Sequence, residues 1–556
     1  MNVLLMSACF GGVFMRVRRL VFLVIVVATA VGMLALMVCV LAPGGWSGLK
    51  LLILVGFVGV VPWLGLCLAN AVIGYLCLLF CRDPARSVLF VAGDIDHAPI
   101  TTRTALAVTV RDEDLAAILP WILALGLDPA HFVVWVLSDT QDPALASVEA
   151  SLVAAVPGVF YRRRADNAGF KAGNVMEFLD HHADGFDFVI PLDADSRMTA
   201  ESIMRLVRIM QADSRVGLVQ HLTVGAPASA AFPRLFQFGM RAGMRVWATG
   251  QAWWQGDEGP YWGHNAIFRV DAFRQAARLG LLPDGSPILS HDQVEAARLR
   301  AAGWRVCMWA AEEGSMEENP PALPEFLHRD ARWMAGNLQY RHLLFAPGFR
   351  AMGRWQLVQA ILLFLSAPLY PLMLLLAAIN AAVAGGDVPR GWLLVLVVVW
   401  PLVIYAPKLA GYKEVLLFRA RRERYGGFWA FASGAAAEIV FTLLLDAIAQ
   451  PSKAMAMLRV LFGARTGWAP QNRGERGVTW REAAAQFWPH TLFGVVVFAL
   501  LLSSSVWAAL VALPFAGGLL VAVPFCVVTA SPGFSAWLVR RRIAATPEEL
   551  ALPSPR

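Results

Sequence analysis

An α/β domain with a mostly parallel sheet, inserted between α-helical membrane segments, is what this 556-residue chain predicts. The chain is 58% hydrophobic and 16% charged, and it holds several apolar runs of about 20 residues, the length that crosses a bilayer core of ~30 Å. Between the second and third of these runs lies one long polar-rich stretch. Inside it, short β-rich segments alternate with helical ones, the pattern of βαβ units whose strands run parallel.

The first two runs, residues 20–41 and 51–80, are joined by the Pro43-Gly44-Gly45 turn and predict a helical hairpin. Arg16, Arg18 and Arg19 precede it and Arg82 and Arg86 follow it, so the positive-inside rule puts both flanks in the cytoplasm. The opening residues lack the pattern of a cleavable signal. Residues 82–354 then form a cytoplasmic domain large enough to bury its own core. Further spans are expected at 357–384, 392–406, 492–513 and 517–539. Lys408, Lys413, Arg419, Arg421, Arg422 and Arg424 mark one inside loop, and Arg540, Arg541 and Arg542 another. Segment 428–448 is long enough to cross, yet Lys453, Arg459, Arg465, Arg473, Arg476 and Arg481 after it also belong inside. It therefore pairs with a second crossing or re-enters, and residues 451–463 read equally as an amphipathic helix on the inner surface. Six spans are clear and up to eight fit. The resulting divisions are a transmembrane hairpin (1–81), the cytoplasmic domain (82–354), a membrane region with interfacial helices (355–540) and a cytoplasmic tail (541–556).

Charge and cysteines exclude other classes. The net charge of +7 gathers beside the apolar runs, where orientation and lipid headgroups account for it, so nucleic acid is not an expected partner. The 7 cysteines show no paired CxxC or Cys/His spacing, so neither a disulfide framework nor a zinc site is indicated.

Inside the domain, strands are expected at 104–110, 132–137, 159–162, 186–191 and 216–222, with helices at 114–125, 172–181 and 201–210. Ligands of parallel sheets bind at the carboxyl ends of the strands, and carboxylates stand there. Asp139 follows the second strand in WVLSDTQDP, and Asp193-Ala194-Asp195 follows the fourth in FDFVIPLDADSRM. Two carboxylates one residue apart offer hard oxygen ligands to a divalent cation that shares its shell with a nucleotide-sugar diphosphate. Asp139 can accept hydrogen bonds from a base edge or ribose. Helix or turn capping explains each of these aspartates nearly as well when taken singly. Lys171, with Gly173 and Asn174 in NAGFKAGNVMEF, stands at a loop-to-helix junction that suits phosphate, or is a solvated lysine. Asp292, in GSPILSHDQVEAARL, is a helix cap or a general base. A base on one face and a metal-held leaving group on the other predicts inversion at the sugar carbon. Arg332-Trp333 supplies a guanidinium for phosphate and an indole for a sugar ring, or equally an interface anchor above the bilayer, and Trp253, Trp254, Tyr261 and Trp262 supply aromatic faces suited to carbohydrate or to packing. Glu438 and Asp446 share one half of a helix in an apolar segment. They mark a polar path or hydrogen bonds between helices, and the path is the favoured expectation.

The ordered set Asp139, Lys171, Asp193-Ala194-Asp195, Asp292 and Arg332-Trp333 resembles the processive family 2 glycosyltransferases, the group containing cellulose and hyaluronan synthases. YWGHNAIFR, LSHDQVEAA and GSMEENPPALPEFLHRDARWMAGNLQ resemble the synthases of bacterial osmoregulated periplasmic glucans, over roughly residues 101–344. The resemblance implies a GT-A-like domain in which Asp139 contacts the uridine part, Lys171 the diphosphate, Asp193 and Asp195 the diphosphate and Mg or Mn, and Asp292 is the base. Glu113 is the match after the first strand, in VTVRDED, on the nucleotide-sugar side. Arg329, Arg332, Trp333, Gly263, His264 and Asn265 would bound the acceptor and diphosphate site. Arg329 stands where cellulose synthases carry glutamine, as it does in the periplasmic glucan subgroup. By resemblance the donor is UDP-glucose and the product a β-glucan, β-1,2-linked, extended on a glucan acceptor and passed across the bacterial inner membrane. An acyl carrier protein and a periplasmic glucan-processing protein come with it as partners. Two rivals remain: a non-processive lipid-linked sugar transferase, and a transporter or scaffold whose α/β domain only binds nucleotide.

Overall fold

The computed structural model describes residues 2–89, 91–383, 389–463, 474 and 476–551, with side chains from residue 14 onward. Its α/β domain is built on ten strands: β1 (Thr104–Val110), β2 (Phe132–Ser138), β3 (Val159–Arg163), β4 (Phe188–Asp193), β5 (Arg197–Met198), β6 (Val216–His221), β7 (Val224–Gly225), β8 (Ala266–Arg269), β9 (Arg305–Trp309) and β10 (Ser315–Glu317). Seven form one sheet in the order β3-β2-β1-β4-β8-β6-β9, parallel except where β8 runs against β4 and β6. The remaining three form a small sheet, β5-β10-β7.

Side-chain alternation along β1 explains the two-sided burial. Leu106 and Val108 pack on one face with Leu206 and Ile209 of the Ala200–Ala212 helix, while the smaller Ala105 and Ala107 admit Phe178 and Leu179 of the Phe170–His181 helix on the other. All eight of these side chains are fully buried, and each leucine, isoleucine or phenylalanine contributes roughly 1.5–3 kcal/mol.

Helix Ala231–Gln255 joins the domain to the membrane segments. A methyl group on Gly74 would strike the Val246 carbonyl, one on Gly250 the Asn70 carbonyl, and one on Gly411 the Ala242 carbonyl. Glycine at these three positions lets the backbones of Gly48–Phe80 and Ala406–Leu417 lie directly on this helix, as small residues do between membrane helices.

Among the described residues, five helices are long and apolar enough to cross a membrane: Phe14–Leu41, Gly48–Phe80, Ala351–Val383, Phe428–Leu461 and Trp480–Ser504. Two further pairs are bent, Arg390–Ile404 with Ala406–Leu417 by 72° and Val506–Leu520 with Ala522–Thr529 by 60°, giving up to seven spans. This corrects the boundaries expected at 392–406, 492–513 and 517–539. Hydropathy reads an apolar run as continuous, but the chain breaks at Tyr405, Ser505 and Val521, and the Ser505 side chain starts a new helix by accepting from Ala508 N at 3.1 Å. Segment 428–448 and most of residues 451–463, which the sequence leaves open to a crossing or a surface helix, are one helix, Phe428–Leu461, which continues through Pro451. Residue 384, Arg465, Arg473 and the end of the expected tail lie outside the described residues.

Candidate active site

The site lies at the carboxyl edge of the large sheet. β4 ends on Asp193, and the chain turns there because Asp193 N donates to Ser196 Oγ at 3.0 Å. Lys171, in the first turn of the Phe170–His181 helix, donates to Asp193 Oδ1. That helix can start where it does because Gly169 adopts φ +70° and Gly173 has no side chain to meet the Ala168 carbonyl. Asn174 ties the same turn to the sheet, donating to Leu137 O at 3.1 Å and accepting from Arg162 at 2.8 Å.

The capping alternatives are taken by other residues. Thr199 caps the helix after the Asp193-Ala194-Asp195 turn, accepting from Ser202 N at 3.3 Å, and Asp142 caps the helix after Asp139, accepting from Ala144 N at 2.8 Å. Asp139 is buried, and both its oxygens receive the Arg164 guanidinium at 2.7 Å, which in turn holds the Ala168 and Phe170 carbonyls. Glu113 folds back at the end of β1, where its Oε2 accepts from Arg111 N at 3.4 Å.

From Ser196 a polar chain crosses to the small sheet. The Ser196 hydroxyl lies 3.0 Å from His264 Nδ1, and His264 Nε2 lies 3.2 Å from Glu317 at the end of β10. Burial opposes a charge on His264, but Asp193 and Glu317 outweigh it and raise the imidazole to about 9. Glu317 is held below the usual carboxylate range despite its burial, by the hydrogen bond from His264 and by Arg329 nearby. His264 is presented by a loop in which Gly263 has φ +86° and Asn265 φ +49°. Buried Gln220 fixes that loop, accepting from Trp262 N at 2.7 Å and donating to the His264 carbonyl at 3.1 Å. Asn265 donates to Ser315 Oγ at 3.0 Å and Met316 O at 3.1 Å, so its role here is to pin the loop.

Asp292 is the first residue of the Asp292–Ala301 helix rather than its cap, and His291 before it makes no capping bond. Gly263 packs against Asp292 and His291. Burial, then the charges of Glu295, Asp292 and Asp193, keep the Tyr261 hydroxyl neutral well above its usual range. The loop 261–264 meets both sides of the site: Gly263 packs on Asp292, and His264 lies against Ser196, whose hydroxyl accepts from Asp193 N. Helix Leu323–Gln339 closes this side: Gly336 lies on Ser290, leaving no room for a side chain. On it Arg329 and Arg332 are buried, Trp333 is 42% exposed, and the Arg329 guanidinium sits 4.5 Å over the Trp333 ring.

Other expected positions serve as scaffold. Trp254 stacks on Phe22 with centroids 3.9 Å apart and donates to Asn70 Oδ1 at 2.9 Å, and Trp253 lies under Arg18. These two indoles are packing, not sugar platforms. Glu438 accepts from Lys408 at 2.6 Å, from Thr442 at 2.5 Å and from Tyr412, while Asp446 accepts from Tyr405 at 2.6 Å. Both are thus engaged between helices, which overturns the preference for a polar path along them. Sequence reasoning passed over Arg164, Ser196, Gln220 and Glu317. Glu317 lies within a quoted motif, but nothing in the sequence pairs it with His264.

Among the described residues, no three His, Cys, Asp or Glu side chains gather as a metal cage. Asp193 and Asp195 nevertheless fit a hard cation, because a site shared with a diphosphate needs only one or two protein carboxylates, the phosphates and water supplying the remaining oxygens.

Residues 188–408 match the family model described as Glycosyl transferase family group 2. Fold and match together define a glycosyltransferase domain joined to membrane-spanning helices. The chain belongs to the family of the glucans biosynthesis glucosyltransferase H. It is 34% identical over 566 residues to the protein of that name from Xanthomonas campestris pv. campestris (strain B100), covering 95% of this chain and 86% of the relative. The Vibrio cholerae serotype O1 (strain ATCC 39315 / El Tor Inaba N16961) protein of that name is 32% identical over 547 residues, covering 92% and 74%. Among solved structures, the mannosyltransferase PcManGT from Pyrobaculum calidifontis in complex with GDP-Man and Mn2+ aligns at 17% identity with a TM-score of 0.41, covering 63% of this chain and 98% of that one.

Proposed function

We propose that the chain is a processive, inverting glucosyltransferase that takes UDP-glucose, extends a β-1,2-linked glucan and passes it across the bacterial inner membrane. The α/β domain and both termini are then cytoplasmic, in keeping with the arginines beside the spans. The observation that carries this reading is that the loop 261–264 packs on Asp292 through Gly263 and reaches the Asp193 turn through His264 and Ser196, with Lys171 on the Asp193 carboxylate and helix Leu323–Gln339 closing the far side.

In this reading Asp139, with Arg164, and Glu113 flank the uridine end of the donor, and Lys171 meets the diphosphate. Asp193 and Asp195 would hold Mg or Mn, whose charge offsets that of the leaving diphosphate. Asp292 takes the proton from the acceptor hydroxyl as it attacks the sugar carbon from the opposite face, which gives inversion. Gly263, His264 and Asn265 shape the floor between the two carboxylates, and Arg329, Arg332 and Trp333 bound the acceptor. Beyond that helix, Asp330 pairs with Lys453 at 2.8 Å. Gln450, His490 and Thr491 each keep a buried polar atom with no hydrogen-bond partner among the described residues. Sugar hydroxyls passing there would satisfy them, which supports export between these helices. An acyl carrier protein and a periplasmic glucan-processing protein complete the reading as partners.

The test is Asp292→Asn in membrane vesicles given UDP-glucose and Mg. Polymer synthesis is expected to fall at least about a hundredfold, and synthesis at the wild-type rate sinks the base assignment. Labelled nucleotide sugars offered side by side, with linkage analysis of the product, fix donor and bond.

A further inference from the structure

Arg16, Arg18 and Arg19 form the positive flank of the first span, and orientation alone would explain them. Two of them have specific seats. Arg18 is buried, donating to Trp253 O at 3.2 Å with its guanidinium 4.8 Å over the Trp253 ring. Arg19 donates to Trp254 O at 3.4 Å and Gln255 O at 3.3 Å, and pairs with Glu258 at 2.9 Å. Those three carbonyls are the last of helix Ala231–Gln255, where no intrahelical donor is available and a cation is favoured. The start of the first span therefore caps a helix more than 200 residues away in sequence, Arg18 and Trp253 being 235 positions apart.

Glu258 gathers further elements. Gln356, in the span Ala351–Val383, donates to its carbonyl at 2.6 Å, and Arg300, in the helix that Asp292 begins, lies 3.8 Å from its other carboxylate oxygen. Immediately beyond it run Tyr261, Gly263 and His264. The Glu258 carboxylate thus meets the first span and the helix that carries Asp292, while its backbone carbonyl meets the span Ala351–Val383, just before the loop that carries His264. We infer that Glu258 is a positioning residue, held by Arg19 of the first span, that sets how far the His264 loop stands from Asp292. Of the three arginines in the flank, Arg16 is exposed, so the three differ in what they support although they share a charge.

The inference rests on the proposed sugar transfer, and the experiment separates the two. The full chain is reconstituted in lipid nanodiscs with UDP-glucose and Mg, and both UDP release and amide hydrogen exchange are measured. Glu258→Gln and Arg19→Gln are expected to lower kcat about tenfold with the KM for UDP-glucose changed less than about twofold, since small displacements of reacting groups act on turnover. Arg19→Lys keeps the charge opposite Glu258 but loses the fork that also reaches the Trp254 and Gln255 carbonyls, so its kcat should fall between those of Arg19→Gln and wild type, and Arg16→Gln should match wild type. Exchange at residues 259–265 should rise in Glu258→Gln while that of β1 does not. Unchanged exchange in that loop overturns the inference whatever the activity, and so does an equal loss of kcat in Arg16→Gln. A wild-type protein that releases no UDP, but whose loop still loosens in Glu258→Gln, keeps the inference and removes the sugar-transfer reading.

Discussion

Glu438 and Asp193 are both carboxylates set against a lysine, and their surroundings part them. Glu438 is buried between helices, with Lys408, Thr442 and Tyr412 on its oxygens, and a side chain at Gly239 would strike it. It is a closed cluster. Asp193 ends a strand with its side chain 30% exposed, has Lys171 beside it, and is linked through Ser196 to His264 in the loop that packs on Asp292. The difference teaches how to read charge in a membrane enzyme: a carboxylate whose bonds are made from within is scaffold, and one left half open at a strand end has capacity for a ligand.

The largest expected effect tests the open side. Asp193→Asn should cut UDP release from UDP-glucose by about a thousandfold, roughly 4 kcal/mol of barrier, since it removes a carboxylate that would hold the cation against the leaving diphosphate. Its melting temperature should stay near wild type, because the partly exposed Lys171 left behind still reaches water. Near-normal turnover together with a large fall in melting temperature would put Asp193 among the scaffold groups.

The closed side should fail in the opposite way. Lys408→Met leaves Glu438 buried without its cation and should cost about 3 kcal/mol of stability, with turnover per folded molecule unchanged. The double variant Lys408→Met with Glu438→Leu should recover most of that loss, since two apolar groups leave no orphan charge. Thermal unfolding in detergent reads both, and a double variant no better than the single would show that the pair itself holds these helices together.

Local signals made part of this legible. β1 and β2 are rich in β-branched residues, β3 opens on Val159, Phe160 and Tyr161, and β6 carries Val216, Leu218 and Val219; all four fall within one residue of where the pattern puts them, while β4 lies two residues later than expected and so carries Asp193 as its last residue. β8 and β9, AIFR and RVCMW, are too short to announce themselves, and an antiparallel strand inside a parallel sheet leaves no periodic trace. The partners of the site were hidden for another reason. Arg164 meets Asp139 across 25 residues and Ser196 meets His264 across 68, contacts set by topology rather than spacing. The membrane bends at Tyr405 and Val521 were invisible because hydropathy measures composition and not direction.

The smallest expected effect separates capping from chemistry within a single turn. Asp195 and Thr199 lie four residues apart, and before the fold is known either can be credited with starting the helix Ala200–Ala212. The Thr199 hydroxyl accepts from Ser202 N at 3.3 Å, so Thr199→Ala should cost about 1 kcal/mol, lower the melting temperature by a few degrees at most, and leave the KM for UDP-glucose where it was. Asp195→Ala should do the reverse, raising the Mg concentration needed for half-maximal UDP release while the melting temperature holds. If instead Asp195→Ala destabilises the protein and leaves its Mg dependence alone, then this carboxylate belongs with Glu438 on the closed side of the comparison, and Asp193 must be the only protein carboxylate on the cation.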